Sequence, residues 1–200
     1  MHNIVFDMGN VLTKYNLTDY IWNYVDNETE FGLVKDQICS SVEWIRMDRG
    51  TMTDDEAIAS INSRMPEKMW ELTERFIREF RMEQEQNPPM EALLAELKQQ
   101  GYRLYLMSNT SHRFRQFSKN IPSITYMDGI WISCESGYLK PEREAYLDFF
   151  EKMKLEPEDC FFVDDSPANI EAAMRLGMRG CVYHQDMDEL RNNLREAIGA

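Results

Sequence analysis

An α/β fold, a parallel sheet covered by helices on both faces with a helical insertion after its first strand, is what this chain of 200 residues predicts. Three observations carry that expectation. From residue 90 onward, short apolar runs alternate with helical periodicity, the pattern of a parallel sheet built from βα units. Between the first apolar run and residue 87 the periodicity is helical with almost no strand signal, so this block reads as inserted. Finally, polar residues follow at once on apolar runs in Ile4-Val5-Phe6-Asp7-Met8-Gly9-Asn10-Val11, in Leu104-Tyr105-Leu106-Met107-Ser108-Asn109-Thr110 and in Phe161-Phe162-Val163-Asp164-Asp165-Ser166, with Gly137-Tyr138-Leu139-Lys140-Pro141-Glu142 as a fourth such segment.

Taken in order, a buried strand covers residues 3–12. Helices follow at 17–26, 33–47, 54–64 and 67–81, a small four-helix bundle whose third member opens with the capping box Thr53-Asp54-Asp55-Glu56. The polar residues 83–86 and then Pro88-Pro89 return the chain to the sheet, since Pro suits the first turn of a helix. Next come a helix stopped by Gly101, a strand to 107, a helix at 112–118, a strand at 130–133, a helix at 142–153 and a strand at 160–163. A helix at 167–176 ended by Gly177, a strand at 181–183 and a last helix complete the chain. The expected organisation is an α/β core of residues 1–14 and 88–200 and a helical cap of residues 15–87.

Bulk properties exclude several functions. With 35 acidic and 22 basic residues the formal charge is -13, and no basic patch interrupts it, so a nucleic-acid partner is not expected. No apolar run is long enough for a membrane span and the start lacks a basic and apolar leader pattern, which together give a cytoplasmic expectation. Cys39, Cys134, Cys160 and Cys181 show no CxxC spacing and read as reduced core thiols.

In an open parallel sheet, ligands bind outside the carboxyl ends of the strands. The strand-end segments would then bring together a carboxylate (Asp7), a hydroxyl and amide (Ser108, Asn109), an ammonium (Lys140) and an acidic pair (Asp164, Asp165). Each has a plain alternative: Asp7 as a turn former, Ser108-Asn109 as an ordinary loop pair, Lys140-Pro141-Glu142 as a helix start, Asp164-Asp165 as a favourable charge at a helix N-terminus. Their joint occurrence in one order points to a site that handles phosphate with a divalent metal.

In order and spacing these four segments resemble the motifs of the haloacid dehalogenase-like hydrolases, over nearly the whole chain. The resemblance implies a Rossmann-like core with a cap inserted between the first and second motifs. It implies that Asp7 is the nucleophile, that Ser108 and Asn109 bind the transferring phosphoryl group, that Lys140 neutralises charge, and that Asp7, the Gly9 carbonyl, Asp164 and Asp165 hold Mg2+. The combination looks most like the branch that includes bacterial α-glucose-1-phosphate phosphatases and the amino-terminal domains of soluble epoxide hydrolases. The activity it implies is magnesium-dependent hydrolysis of a small phosphorylated metabolite, a sugar phosphate above all, through an aspartyl-phosphate, by a monomer or homodimer.

One position departs from the pattern. Phosphatases of this family commonly carry a second Asp two residues after the nucleophile, a general acid worth about a hundred to ten thousand-fold in rate, and this chain has Gly9 there. Either substrates have good leaving groups, or Asn10, a water or a cap group takes over, or phosphate is bound without turnover. Two alternatives to hydrolysis of phosphate therefore stay open: a dehalogenase, which would need no metal, and a binding module that recognises a phosphorylated ligand. For specificity, residues 43–50 offer Trp44, Arg46 and Arg49 for stacking on a sugar or pairing with an anion, against the plain reading of a solvated loop with Trp44 in the cap core. His112 falls near the proposed site, and Arg113, Arg115 and Lys119 read as a solvated helix face.

Overall fold

The computed structural model describes residues 2–83 and 85–198. Gln84, inside the expected return segment, and residues 1, 199 and 200 of the expected core lie outside them. Five parallel strands form the main sheet in the order β5-β4-β1-β6-β7, with β1 (Asn3–Phe6) central, β4 (Arg103–Ser108) and β5 (Gly129–Ile132) on one side, and β6 (Cys160–Asp164) and β7 (Arg179–Val182) on the other. All four residues of β1 are buried, as expected of a strand covered on both faces. Side-chain alternation divides the sheet cleanly. Ile4, Phe6, Leu104, Leu106, Phe161 and Val163 face α6 (Pro88–Gln99), α7 (Phe114–Phe117) and α11 (Met187–Ile198), through Leu94, Phe114 and Leu190. Val5, Tyr105, Met107 and Phe162 face α9 (Arg143–Met153) and α10 (Pro167–Met174), through Phe149 and Ile170. The chain builds outward from β1 to β5 and then crosses to β6, so the reversal of strand order falls beside β1, where a parallel sheet opens a crevice.

Between β1 and α6 the chain makes the helical segment. A short antiparallel ladder, β2 (Thr13–Lys14) against β3 (Glu85–Gln86), closes its base, so part of the polar return segment is a strand. The helices are α1 (Leu17–Trp22), α2 (Glu28–Val34), α3 (Val42–Asp48), α4 (Asp54–Asn62) and α5 (Trp70–Glu79). They bury a cluster of their own around Ile21, Ile38, Met47, Ile61, Phe76 and Ile77. Where the sequence predicts one helix over 33–47, α2 runs into a π-helical turn (Lys35–Cys39) and stops. Ser41 then caps a new helix, accepting from the Trp44 N–H at 3.2 Å while its hydroxyl donates to the Ile38 carbonyl at 2.7 Å. Residues 43–48 are thus helix, and the bundle has one helix more than predicted among the described residues. The predicted capping box of α4 forms, with the Thr53 hydroxyl accepting from the Glu56 N–H and the Glu56 carboxylate accepting from the Thr53 N–H at 2.8 Å. On α5, Thr73, Phe76 and Ile77 are the buried face at the spacing of an amphipathic helix. The expected helix at 112–118 is a single turn, α7, continued by a 3-10 turn.

The helical segment is seated on the core at several points. The Arg49 guanidinium pairs with Glu142 and donates to the Gly137 carbonyl at 3.0 Å. Ser133, at the start of α8 (Ser133–Ser136), donates its hydroxyl to the Asp48 carbonyl at 2.6 Å and accepts from the Thr110 N–H at 2.9 Å. Gly50 makes the closest approach. With φ at +76° and a carbonyl of Cys134 2.0 Å from where a Cβ would stand, only glycine fits there.

Candidate active site

Asp7 leaves the end of β1 still hydrogen-bonded as though the strand continued, its N–H donating to the Val163 carbonyl at 2.9 Å. The neighbouring strand β6 ends in Asp164, fully buried, followed by Asp165, and on the other side β4 ends in Ser108, 2% exposed. Strand pairing alone therefore converges three of the four sequence segments. The fourth arrives from the loop between α8 and α9. Lys140 is buried, and its ammonium donates to Asp7 Oδ1 at 2.6 Å, Asp164 Oδ2 at 2.7 Å and the Met107 carbonyl at 2.8 Å.

Lys140, Asp164 and Asp165 are each held by a further partner. The Asn109 side chain bonds both backbone groups of Lys140, accepting from its N–H and donating to its carbonyl at 2.9 Å each. The amide expected to meet phosphate is thereby anchored to the backbone of Lys140, with its second N–H left over. Asp164 Oδ1 accepts from the Ser166 N–H at 2.8 Å, and Asn169 Nδ2 bridges both its oxygens at 3.0 Å. Sequence reading missed Asn169. Its signal was its place in the first turn of the helix that starts at Pro167, from which a side chain reaches back to the strand end. Asn10, at φ +58°, donates to Asp165 Oδ2 at 2.9 Å and accepts from the Tyr15 N–H at 3.2 Å. Its amide thereby links the Asp165 carboxylate to the backbone at Tyr15.

The electrostatics are those of a crowded anionic site around the Lys140 ammonium, with the Arg81 guanidinium close by. Burial pushes the Asp7 carboxyl above its ordinary value, Lys140 pulls it back, and the Asp164 charge adds to the rise. For Lys140, burial works against the charge, but the carboxylates of Asp7 and Asp164 outweigh it and hold the ammonium above the usual lysine value. Asp7, Asp164 and Asp165 each present an oxygen within 4.8 Å of the others. Three carboxylates still outnumber the Lys140 ammonium and the nearby Arg81 guanidinium, and a donor set of hard oxygens at this spacing suits a divalent cation such as Mg2+.

Beside this cluster lies a cavity of about 180 Å³ between the helical segment and the core, lined in part by Tyr15, Trp44, Asp48, Arg81, Asn109 and Arg113. Trp44 is half-buried, edge-on to Phe80 with centroids 4.5 Å apart, so it belongs both to the helical core and to the cavity wall. Arg46 is exposed on α3 and Arg49 serves the latch to Glu142, so the structure brings neither to this cavity. Gly9 is half-buried next to Asp7, and His112 is exposed in a separate cleft. Arg113 departs from its expected place on a solvated face. It is 4% exposed, ion-paired to Asp54 at 2.7 Å and 5.7 Å over the Trp44 ring, because the helical segment folds down on it, whereas Arg115 and Lys119 stay exposed. Burial raises the Asp48 carboxyl to about 7, with Arg113 and Arg81 opposing.

A profile of the haloacid dehalogenase-like hydrolases matches residues 1–177. The chain belongs to this family. Sesquiterpene phosphatase astK of Aspergillus oryzae is 30% identical to it over 199 residues, covering 98% of this chain and 95% of the fungal protein. Flavin mononucleotide hydrolase 1 of Arabidopsis thaliana is 28% identical over 107 residues, 54% of this chain, and the match spans only 43% of that relative. Among solved structures, a haloacid dehalogenase-like enzyme of Bacteroides thetaiotaomicron in complex with magnesium and inorganic phosphate shares the fold, with a TM-score of 0.75 at 22% identity over 95% of this chain and 98% of that one. Membership makes the chain an enzyme of a hydrolase family with a Rossmann-like core, and its strand-end cluster is the candidate active site. No helix among the described residues is long and apolar enough to cross a membrane.

Proposed function

We propose that the chain is a magnesium-dependent phosphomonoester hydrolase acting on a compact phosphorylated metabolite such as a sugar phosphate, with Asp7 as nucleophile and residues 15–87 as a cap. The observation that carries this reading is the Lys140 ammonium seated between Asp7 and Asp164 at 2.6 and 2.7 Å, with Asp165 completing the anionic cluster. Mg2+ held by Asp7, Asp164, Asp165 and the Gly9 carbonyl would screen the approach of a phosphate dianion to a carboxylate. The protein's own groups do the rest. Asp7 attacks the phosphorus in line, forming an acyl phosphate that water opens, so one hard displacement becomes two easier ones. Lys140 neutralises charge on the transferring group, and the Ser108 hydroxyl with the backbone N–H of Asn109 supplies fixed dipoles at the strand end. Asn10 and Asn169 keep Asp165 and Asp164 from swinging to other partners.

The cavity size favours a small substrate. At about 180 Å³ it lies below the ~300–1,000 Å³ typical of ligand pockets, room for a short polyol or sugar rather than a long isoprenoid chain. Displacement of halide from carbon would leave the anchored Asp164–Asp165 pair without a task. Phosphate release from sugar phosphates, nucleotides, terpenyl phosphates and acyl phosphates, with magnesium and with chelator, tests the reading. Magnesium-dependent release that disappears in Asp7→Asn is the expected result. Release that survives Asp7→Asn would overturn Asp7 as the nucleophile, and no release from any substrate class would overturn the reading and favour a binding module.

A further inference from the structure

We propose that Arg81 takes the place of the acid missing at Gly9 and holds the leaving oxygen of the substrate while the phosphoryl group passes to Asp7; the proposal rests on the phosphomonoesterase reading above. A Cβ built on Gly9 would stand 3.3 Å from Arg81 Nη1, 4.0 Å from Arg81 Nη2 and 4.0 Å from Asp7 Oδ2. The guanidinium therefore fills the space that an acidic side chain at position 9 would enter, next to the nucleophile. A carboxyl placed there would form an ion pair with the guanidinium and stay ionised, unable to donate a proton. Glycine at 9 and arginine at 81 are mutually consistent choices.

Arg81 is well fixed for such a role. It stands just past α5, at φ +61°, where the chain leaves the helical segment. Its N–H donates to the Tyr20 hydroxyl at 3.2 Å, its guanidinium carbon lies 4.9 Å over the Tyr15 ring, and Nη2 donates to Thr13 Oγ1 at 2.7 Å. Thr13 in turn donates to the Met8 carbonyl at 3.3 Å, so the guanidinium is tied to the same loop that carries Asp7 and Gly9. It also lines the cavity in which a substrate alcohol would sit. Burial acts to lower its pKa, with the carboxylates of Asp7 and Asp48 working the other way. Such a desolvated cation acts strongly on nearby charge.

The step balances without a general acid. A bond forms between Asp7 and phosphorus as the bond from phosphorus to the alcohol oxygen breaks, and its electron pair goes to that oxygen. Hydrogen bonds from Arg81 stabilise the charge that develops there, and the guanidinium keeps its protons. A water molecule then protonates the alkoxide and leaves hydroxide, which is available to open the acyl phosphate.

Leaving-group dependence tests this. For Arg81→Ala the expected loss is about 100-fold on alkyl and sugar phosphates but under about fivefold on p-nitrophenyl phosphate, whose leaving group needs little stabilisation. Added guanidinium ion should restore part of the lost rate. In the double variant Gly9→Asp/Arg81→Ala, the emptied space lets position 9 act as an acid, so alkyl phosphate turnover should recover and the pH profile should gain a descending alkaline limb. If Arg81→Ala does not fold, Arg81→Gln carries the same comparison, since it keeps a polar side chain and loses the charge. An equal loss on both leaving-group classes, or no loss, overturns the role of Arg81 while leaving the enzyme a phosphatase. A wild-type protein that hydrolyses neither class and does not bind tungstate overturns the phosphomonoesterase reading, and the role of Arg81 with it.

Discussion

Glu43 on α3 is 4% exposed and paired with Arg64 through two hydrogen bonds of 2.8 Å, with the Ser60 hydroxyl donating to it at 2.7 Å. Hydrogen bonds from Arg64, opposed by burial and assisted by Ser60, hold its carboxyl at about 2 against an ordinary 4.5. That difference corresponds to about 3 kcal/mol favouring the ionised form in the folded state. Because Arg64 keeps 35% of its side chain exposed, solvent screening reduces the share that reaches folding stability to about 2 kcal/mol. The sign follows from the depressed folded-state value: the stabilisation is complete above 4.5 and is lost as pH falls from 4.5 toward 2. Glu43→Gln keeps the size and the Ser60 contact and removes the charge. In urea unfolding followed by tryptophan fluorescence, the variant should be less stable by about 2 kcal/mol at pH 7 and by less than about 1 kcal/mol at pH 3, with the same m-value. An equal deficit at both pH values would refute the reasoning and place the cost in shape rather than ionisation.

Two further outcomes are expected. Asp48, raised from 3.8 to about 7 by burial, should behave in the opposite sense: wild-type stability falls as pH rises from 3.8 to about 7, whereas Asp48→Asn escapes that fall. Thermal melts at pH 5 and pH 8.5 should show the Asn variant gaining more on wild type at the higher pH, and an equal difference at both would refute the raised value. Asn169→Ala removes the amide that bridges both Asp164 oxygens, and should weaken divalent-cation binding by about tenfold or more in a calorimetric titration. Unchanged affinity would show that Lys140 and Ser166 suffice to orient Asp164.

Several parts of the site were legible because they depend on local chemistry. An apolar run followed by Asp7 or by Asp164-Asp165 needs no tertiary knowledge to be placed at a strand end, nor does the Thr53 capping box. Other parts were not. Arg113 was read as solvated because nothing in its own helix shows that Trp44 and Asp54 cover it. Arg49 was read as a ligand contact, although its partner Glu142 lies 93 positions away. The sequence reads helix 33–47 as continuous because its apolar residues keep a helical period, while the break between Ile38 and Met47 depends on a serine turning its hydroxyl back on the chain.

By itself the sequence determined the fold class, the insertion of a helical segment after the first strand, and the residues that the sheet delivers to its carboxyl edge. These follow from periodicity and from the requirement that buried strands end where polar groups begin. Only the tertiary structure decided what stands beside Gly9. Arg81 is 72 positions further along, and its arrival at the nucleophile depends on the helical segment folding back and being closed at its base by β2 and β3. The sequence records a missing acid as an absence. Contact between segments distant in the chain shows the cation that fills its place, because such contact depends on packing, which no local pattern encodes.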